Sequence, residues 1–327
     1  MDKVLVVGDL HISDIYVGNH KDYWGECIEV LSNITKIIVE QKITHLVLTG
    51  DLVGLQEKTF KSIDSRIAFM LVLKRWNELT NNNVYSVIGN HDLSGKSTEF
   101  NLLESLGYIK TTNTIGTNYF DVDKCRFHLI DYGAEEKPLT MGDSEQGYSN
   151  LGITHNDIQV TGYTTWYYPS RKVYELSSMA NWKGLSLILA GHIHNPSPML
   201  VKADIEGKTT SLFYLGCPTR PKRGDTWDKV YYCIVAIDEN GADVTPLQIN
   251  LTPYDEVFVK TTVDIEEDGV LQEEEPVTNI EELAKILGTL TQYKLDSDGD
   301  IPSQIKVMAG VDTPAMNLAL DYYNKQG

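Results

Sequence analysis

The N-terminal part of the chain alternates between short apolar runs and longer amphipathic stretches, and this alternation restricts the possible folds most. Residues 27–41 and 60–79 carry apolar side chains at spacings of three and four, which predicts two helices. The apolar runs around them are rich in β-branched residues and leucine, as buried strands are. A strand–helix–strand–helix–strand order requires parallel strands joined by right-handed crossovers. The runs are KVLVVGD, THLVLTGD and NVYSVIGNHD.

Further runs with strand character follow, with less helical sequence between them. They predict a second sheet packed on the first. The expected fold class is therefore α/β, a sandwich of two mixed β-sheets flanked by helices, with a small C-terminal accessory region. The later runs are FHLIDYG, NLGITH, LSLILAGH, TSLFYLGCP and VYYCIVAID.

The composition changes near residue 250 and becomes strongly acidic over 264–282. We therefore expect a main domain over residues 1–250 and a C-terminal region over 251–327, with a helix at 280–293. This region is the candidate for capping the main domain or docking a partner. A solvated acidic face is the alternative.

The overall composition favours a globular protein. Of the 327 residues, 42% are hydrophobic and 23% are charged. No apolar run reaches the roughly 18 residues of a membrane span, and the N-terminal apolar stretch is too short for a signal peptide. We expect a cytoplasmic protein, or one in the host cytoplasm if a phage encodes it.

The four cysteines form no C-x-x-C pair and are expected to be buried, reduced thiols.

The formal net charge of −18 argues against a protein that coats nucleic acid in general. It does not exclude an enzyme acting on nucleic acid, because carboxylates that bind metal ions add to the acidic count and the bound cations offset them.

Polar residues collect where the predicted strands end. In open α/β sheets the carboxyl ends of the strands share one edge, where ligands bind. Taken singly, each histidine could be an ordinary surface or core group, and each aspartate a turn residue. Together they combine imidazoles, carboxylates and one carboxamide, which suits divalent ions such as Mn²⁺, Fe²⁺ or Zn²⁺. The set is Asp9, His11, Asp51, Asn90, His91, Asp92, His155, His192 and His194.

Seven members of this set satisfy the needs of two metal ions. Two cations about 3.5–4 Å apart need roughly four protein ligands each, with one ligand shared. Glycine precedes four of these residues, and we expect it to let the backbone turn tightly so that the side chain faces the metal. The four are Asp9, Asp51, Asn90 and His192.

The motifs GDLH, GD, GNHD, THND and GHIH, in this order, resemble those of the calcineurin-like metallophosphoesterases over roughly residues 1–240. The resemblance implies that Asp51 bridges two metal ions and that His91 is a catalytic residue near the leaving group. General acid catalysis supports that role, because a departing alkoxide needs a proton. Asp92 would either orient His91 or cap a turn. The implied ligands are Asp9, His11, Asp51 and His194 for one ion, and Asp51, Asn90, His155 and His192 for the other.

Two segments bear on the subfamily. GDLVGLQ has Gly54 where protein phosphatases of this superfamily carry aspartate, and this difference disfavours a phosphoprotein phosphatase. LFYLGCPTRPKRGD (212–225) resembles the Y-x-G-S-P segment of SbcD-type DNA repair exonuclease subunits and of phage recombination endonuclease small subunits, with Cys217 replacing serine. The resemblance implies an SMC-like coiled-coil ATPase partner of the SbcC type. It also implies two divalent ions, of which we expect Mn²⁺ first, with Mg²⁺, Fe²⁺ or Zn²⁺ as alternatives.

Local positive charge agrees with DNA as the substrate. Arg220, Lys222 and Arg223 form a short basic stretch that is predicted to bind backbone phosphates; a solvated basic loop is the alternative. Residues 167–172 could stack on unpaired bases, but ordinary packing of their aromatic side chains is favoured.

The leading hypothesis is a two-metal DNA exonuclease or endonuclease subunit of recombination or repair. A stand-alone phosphodiesterase for nucleotides or small phosphoesters is the first alternative, and a non-catalytic scaffold is the second. The expected partners are DNA and the ATPase, with a homodimer as a further option and no membrane.

Overall fold

The computed structural model describes nine stretches of the chain, which end at Phe258. The chain divides into two compact units, residues 1–61 with 72–259 and residues 62–71 with 260–327. The predicted helix at 280–293 lies outside the described residues, and so does most of the region from 251 onwards. Its proposed role stays a prediction. The described stretches are 1–15, 20–54, 60–93, 98–144, 147–160, 173–196, 201–222, 225–239 and 241–258.

Within these stretches the chain forms the following helices and strands. The helices are α1 (Tyr23–Gln41), α2 (Ile63–Leu79), α3 (Thr98–Ser105), α4 (Thr112–Ile115) and α5 (Tyr254–Val257), with 3₁₀ turns at Leu176–Ser178 and Ala180–Trp182. The strands are β1 (Asp2–Val7), β2 (His45–Leu48), β3 (Val84–Ser86), β4 (Tyr119–Val122), β5 (Cys125–Ile130), β6 (Ser149–Thr154), β7 (Ile158–Gln159), β8 (Tyr174–Glu175), β9 (Leu187–Ala190), β10 (Val201–Ile205), β11 (Lys208–Tyr214), β12 (Lys229–Asp238) and β13 (Gly241–Asn250).

Two mixed sheets form the sandwich, as the sequence predicts. The first has the order β13–β12–β1–β2–β3, and the second has the order β10–β11–β9–β6–β5–β4. Strands β1, β2 and β3 are parallel to one another, and β12 joins β1 antiparallel. In the second sheet, β5, β6, β9 and β11 are parallel. Strands β7 and β8 form a separate parallel pair.

An apolar core lies between the two sheets. It joins Val6 and Val47 of the first sheet to Phe127, Ile153 and Leu189 of the second, all almost completely buried. Because burial stabilises by about 25 cal/mol per Å² of apolar surface, the sheet-to-sheet contact is a major stabilising layer of the described residues. A second core covers the other face of the second sheet.

Helix α1 begins four residues before the predicted start because of a local cap. The Asp22 side chain accepts a hydrogen bond from the Gly25 amide at 2.8 Å, which satisfies a backbone donor that the helix itself leaves unpaired. The helix ends at Gln41, and Lys42 follows in the left-handed conformation. Its buried face includes Cys27, Leu31 and Ile38, at the predicted helical spacing.

Arg220 corrects one sequence-based prediction. It was expected in an exposed DNA-binding loop, but its side chain is completely buried. Its Nε donates to Glu26 Oε1 at 2.7 Å, its backbone amide donates to Glu26 Oε2 at 3.0 Å, and its Nη1 donates to the Thr252 carbonyl at 2.7 Å. Burial disfavours the Glu26 carboxylate, but the hydrogen bond from His20 and the charge of Arg220 outweigh it and lower its pKa. Arg220 therefore ties α1 to the chain beyond β13.

We expect Arg220→Met to destabilise the protein by about 3–5 kcal/mol, because it leaves the buried Glu26 carboxylate without its cation. Urea unfolding followed by circular dichroism measures the effect. Lys222→Met, at an exposed neighbour, is the control and should change stability little. The double variant Arg220→Met/Glu26→Gln should recover part of the loss. A single-variant loss below about 1 kcal/mol, typical of surface pairs, would contradict the assignment.

Candidate metal centre

The seven predicted ligands all lie within four residues after a strand, and the two sheets bring these strand ends together. Strands β1, β2 and β3 run parallel, and so do β6 and β9, so each group of ends shares one edge. Asp9 and His11 follow β1, Asp51 follows β2, Asn90 follows β3, His155 follows β6, and His192 and His194 follow β9.

Four of these side chains meet around one ring nitrogen of His155. Its Nε2 lies 3.0 Å from Asn90 Oδ1, 3.1 Å from Asp51 Oδ2 and 3.1 Å from His192 Nδ1. We call Asp51, Asn90, His155 and His192 the second cluster. It is the ligand set that the family resemblance implies for one metal ion.

The hydrogen bonds around the second cluster leave lone pairs pointing inward. His155 Nδ1 lies 2.9 Å from the Thr49 carbonyl, and His192 Nε2 lies 3.1 Å from Asp157 Oδ2. Each of these nitrogens faces an acceptor and therefore carries the ring hydrogen. The opposite nitrogens, His155 Nε2 and His192 Nδ1, then present lone pairs to each other and to Asp51. Such an arrangement fits a divalent cation, because it supplies neutral imidazole and carboxylate donors.

The electrostatics of His155 also indicate that this position needs a positive charge. Burial alone disfavours its protonated form, but the Asp51 and Asp9 carboxylates outweigh burial and raise the pKa of His155 well above its ordinary value. The buried carboxylates thus require a positive charge at this point, which a metal ion or a proton supplies.

A first cluster lies next to the second and shares Asp51 with it. His11 Nε2 is 3.1 Å from His194 Nε2 and 3.6 Å from Asp51 Oδ2. Asp51 Oδ2 is therefore near both His11 and His155, the position that a bridging carboxylate needs. Burial lowers the pKa of His11 to about 3, so its ring is neutral and able to bind a metal ion. We call Asp51, His11 and His194 the first cluster.

Asp9, the remaining predicted ligand, has both oxygens in hydrogen bonds to the protein. Oδ2 accepts from the His192 amide at 2.6 Å, and Oδ1 accepts from Thr49 Oγ1 at 3.0 Å. It thereby fixes the start of the turn that carries His192. Its role as a ligand stays a prediction.

Three ligand residues have unusual backbone conformations. His11, Asp51 and His192 have φ angles of 44°, 46° and 73°, in the left-handed region. Each such residue costs of order 1 kcal/mol or more, and strain of this kind clusters at functional sites. The surrounding hydrogen bonds compensate for it, among them the bond from the His11 amide to the Asp51 carbonyl at 2.9 Å.

The glycines that precede the predicted ligands are needed for different structural reasons. Gly50 has a positive φ of 100°, as the tight-turn prediction requires. Gly89 and Gly191 have no such conformation, and close approach explains them instead. A Cβ at Gly89 would overlap Asp51 Oδ1, and one at Gly191 would overlap Asp9 Oδ1. The same holds for Gly8, where a Cβ would overlap the Gly216 carbonyl oxygen, so the tight-turn explanation was wrong at three of the four positions.

His91 lies at the rim of both clusters. Its amide donates to Asp51 Oδ1 at 2.9 Å, and its half-buried ring packs edge-on against His11 with ring centroids 5.6 Å apart. Burial is the main cause that lowers the pKa of His91, and the nearby charge of Lys222 contributes.

Asp92 contacts backbone rather than His91. Its buried carboxyl accepts from the Gly89 amide at 3.1 Å and from the Leu52 amide at 3.2 Å. Burial and the neighbouring Asp51 raise the pKa of Asp92 to about 8. These contacts are those of the turn-capping alternative.

Three nearby residues were not predicted as part of the site. Asp157 contacts His192 Nε2 at 3.1 Å, and Asp225 contacts His194 Nδ1 at 3.3 Å. The Cys217 thiol has its sulfur within 4.8 Å of ring nitrogens of His11 and His194, so it could also reach a metal ion. A weak sequence signal existed, since Asp157 lies two residues after His155 and Asp225 ends the basic stretch.

Of the predicted basic residues, Lys222 alone is described as exposed. Its amide donates to Asp225 Oδ2 at 3.0 Å, which holds this stretch beside His194. Arg223 and residues 167–172 lie outside the described residues.

The model of the calcineurin-like phosphoesterase family matches residues 2–196, more than half of the 327 residues. The chain belongs to this family. With both donor clusters in place, it is a metal-dependent phosphoesterase with a dimetal site. No curated protein matches the chain in sequence. Within the described ranges, none of the helices combines the length and apolar character that a bilayer crossing needs.

Several solved structures are similar to this calcineurin-like chain at low identity, too low to infer a substrate. A dimetal phosphatase from Danio rerio has 13% identity and a TM-score of 0.48, covering 77% of this chain and 99% of that one. The NAD nucleotidase of Haemophilus influenzae has 16% identity and a TM-score of 0.43, covering 99% and 60%. The phosphoesterase YfcE of E. coli has 15% identity and a TM-score of 0.37, covering 76% and 100%.

The shared position of Asp51 predicts different effects for two ligand variants. Asp51→Asn should weaken metal binding at both clusters, because its Oδ2 faces both. Asn90→Ala should weaken binding at the second cluster and leave the first. Equilibrium dialysis against Mn²⁺ with elemental analysis gives the number of ions retained. Retention of a tightly bound ion by Asp51→Asn, or loss of both by Asn90→Ala, would contradict the shared position.

The carboxylates of Asp157 and Asp225, which contact His192 and His194, should affect the metal affinity of the same site. Asp157→Asn and Asp225→Asn are each expected to reduce metal affinity by about 10–100-fold, because a neutral carboxamide accepts more weakly than the carboxylate that fixes the histidine tautomer. Isothermal titration with Mn²⁺ measures the change. Asp121→Asn on β4, which weakens an exposed pair with Arg126 of β5, is the matched control and should bind metal normally. Equal affinities for all three variants would show that the carboxylates of Asp157 and Asp225 have no such effect.

Proposed function

We propose that the protein is a two-metal-dependent nuclease subunit that hydrolyses phosphodiester bonds in DNA during recombination or repair. The observation that carries the hydrolytic part is the placement of Asp51 Oδ2 between His11 and His155, at 3.6 Å and 3.1 Å. When bound, the ions would polarise the phosphoryl oxygens and activate a water, and Mn²⁺ is the ion we expect.

The protein residues around the ions would position the metal ligands and supply a proton to the leaving group. Asp51 and Asn90 lie in the turns that follow β2 and β3, where contacts with the His91 amide and His155 Nε2 position their oxygens. His91 lies beside them on the rim, where a ring nitrogen can hold a proton for the departing oxygen. No covalent intermediate with the protein is needed.

The segment after β11 supports DNA as the substrate. The Cys217 amide donates to the His194 carbonyl at 2.9 Å, so the segment lies directly against the first cluster. Lys222 extends from it, exposed, and its charge reaches His91. An exposed cation close enough to lower the pKa of His91 can bind a backbone phosphate next to the one being cleaved.

A second candidate is a stand-alone phosphodiesterase for nucleotides or small phosphoesters. The burial of Arg220 favours it, because one of the three predicted phosphate contacts is lost. The net charge of −18 also disfavours a wide DNA-binding surface.

The proposed function also includes protein partners. A coiled-coil ATPase of the SMC-like class would present DNA to the site, and the C-terminal region over 251–327 is our candidate for docking it. The chain could also form a homodimer, as size-exclusion chromatography with light scattering would show.

Hydrolysis assays separate the two candidates. Purified protein with Mn²⁺ is incubated with linear duplex, single-stranded DNA or a chromogenic phosphodiester, with and without a chelator. The nuclease proposal expects chelator-sensitive cleavage of DNA. Hydrolysis of the small ester with neither DNA cleaved would favour the second candidate.

His91→Ala should lower turnover by about 10²–10⁴-fold, the range for a positioned general acid, while both ions stay bound. Single-turnover cleavage and elemental analysis on the same preparation measure the two effects. His45→Gln, at the opposite end of β2, is the control and should cleave normally. Loss of the ions from His91→Ala would mean that His91 acts through the metal site rather than on the leaving group.

A further inference from the structure

A cavity of about 560 Å³ adjoins the first cluster and has no role in the hydrolytic site. Its walls include Asn195, Trp227, Lys229, Tyr231 and Asn250. Two aromatic rings, two carboxamides, the Lys229 ammonium group and the Asp228 carboxylate, which accepts a hydrogen bond from the Tyr254 amide at 2.9 Å, thus face one space. Its size falls within the range of about 300–1,000 Å³ that small-molecule sites occupy.

The cavity borders the first cluster through one of its walls. The Trp227 ring packs edge-on against His194, with ring centroids 6.2 Å apart. Asn195 follows His194 directly in the chain. A group bound in the cavity is therefore close to a phosphate at the first cluster.

Both aromatic walls are held in place by other groups. Trp227 Nε1 donates to the Cys217 carbonyl at 3.0 Å, which fixes the indole plane. The Tyr231 ring packs edge-on against Phe213, with centroids 5.4 Å apart. A fixed aromatic surface loses little conformational entropy on binding, and this favours stacking on a flat ligand.

The polar groups of the cavity suit a nucleotide. Asn195 provides an amide donor and a carbonyl acceptor, the groups that pair with the edge of a base. Asn250 adds its amide donor, while its Oδ1 already accepts a hydrogen bond from Gln248 Nε2 at 2.9 Å. Lys229 is exposed and carries the positive charge that a phosphate needs. An aliphatic ligand would use the rings but would leave both amides and the ammonium without partners.

We propose that this cavity binds the unpaired base of a nucleotide adjacent to the phosphate that is cleaved. The inference rests on the proposed function, since it names the substrate class of the same site. A base within a duplex is stacked and paired on both sides, so it cannot enter. The substrate is therefore a single-stranded or frayed DNA end, and a small phosphodiester without a base is a poor substrate.

An abasic substitution tests the cavity directly. Oligonucleotides carry a tetrahydrofuran residue on either side of the cleaved bond, and KM is compared with that of the intact strand. Stacking on an aromatic side chain contributes about 1–3 kcal/mol, so the wild-type KM should rise about 5- to 150-fold on one of the two abasic strands. Tyr231→Leu should raise KM for the intact strand and remove this difference, and Tyr231→Phe should preserve it. Elemental analysis confirms that each variant keeps its ions.

A binding measurement separates this inference from the proposed function. Oligothymidylate added without metal should quench tryptophan fluorescence in the wild type, and Trp227→Phe should lose that part of the quenching. Quenching without any DNA cleavage would overturn the nuclease proposal but support the cavity. Cleavage with equal KM for intact and abasic strands would overturn the cavity and leave the nuclease proposal standing.

Discussion

The Asp51 carboxylate is the group on which the site depends. Its Oδ2 lies 3.1 Å from His155 and 3.6 Å from His11, and its Oδ1 accepts the His91 amide at 2.9 Å. A single buried carboxylate thus fixes one histidine from each cluster and the turn that bears the predicted catalytic residue. Burying it requires nearby positive charge, because an unpaired carboxylate in a low dielectric is strongly disfavoured. The dimetal site and its fold are therefore coupled through one side chain.

Around Asp51, the backbone and the buried carboxylates approach one another closely. Gly89 and Gly191 leave room for the carboxylates of Asp51 and Asp9, where any larger residue would overlap them. The left-handed backbone of His11, Asp51 and His192 stores strain at the same place. The two apolar cores of the sandwich provide the stabilisation that offsets this strain. Away from the centre, the buried pair of Arg220 and Glu26 ties the segment after β11 to α1.

The sequence predicted the central strands and the edge strand β3, but it missed the edge strands β4, β10 and β13. β1, β2 and β9 are continuous apolar runs because neighbours cover them on both sides and on both faces. β13 has only half-buried and exposed residues, and β10 is only partly buried. Such strands carry mixed polar sequences that resemble loops. The ligands were found for a related reason: His155 and His192 interrupt apolar runs, and an interruption at a strand end is visible locally.

By itself, the sequence determined the α/β order, the positions of the strand ends and the kinds of donor atom available there. These are local properties, set by apolar periodicity and by the residues that end each run. Only the tertiary structure decided which donors meet, that Asp157 and Asp225 support His192 and His194, and that Cys217 and Trp227 lie beside the first cluster. It also decided that Arg220 is buried, because its partner Glu26 lies 194 positions earlier in the chain. Charge pairing across such a separation depends on how the chain packs, and no short stretch of sequence encodes it.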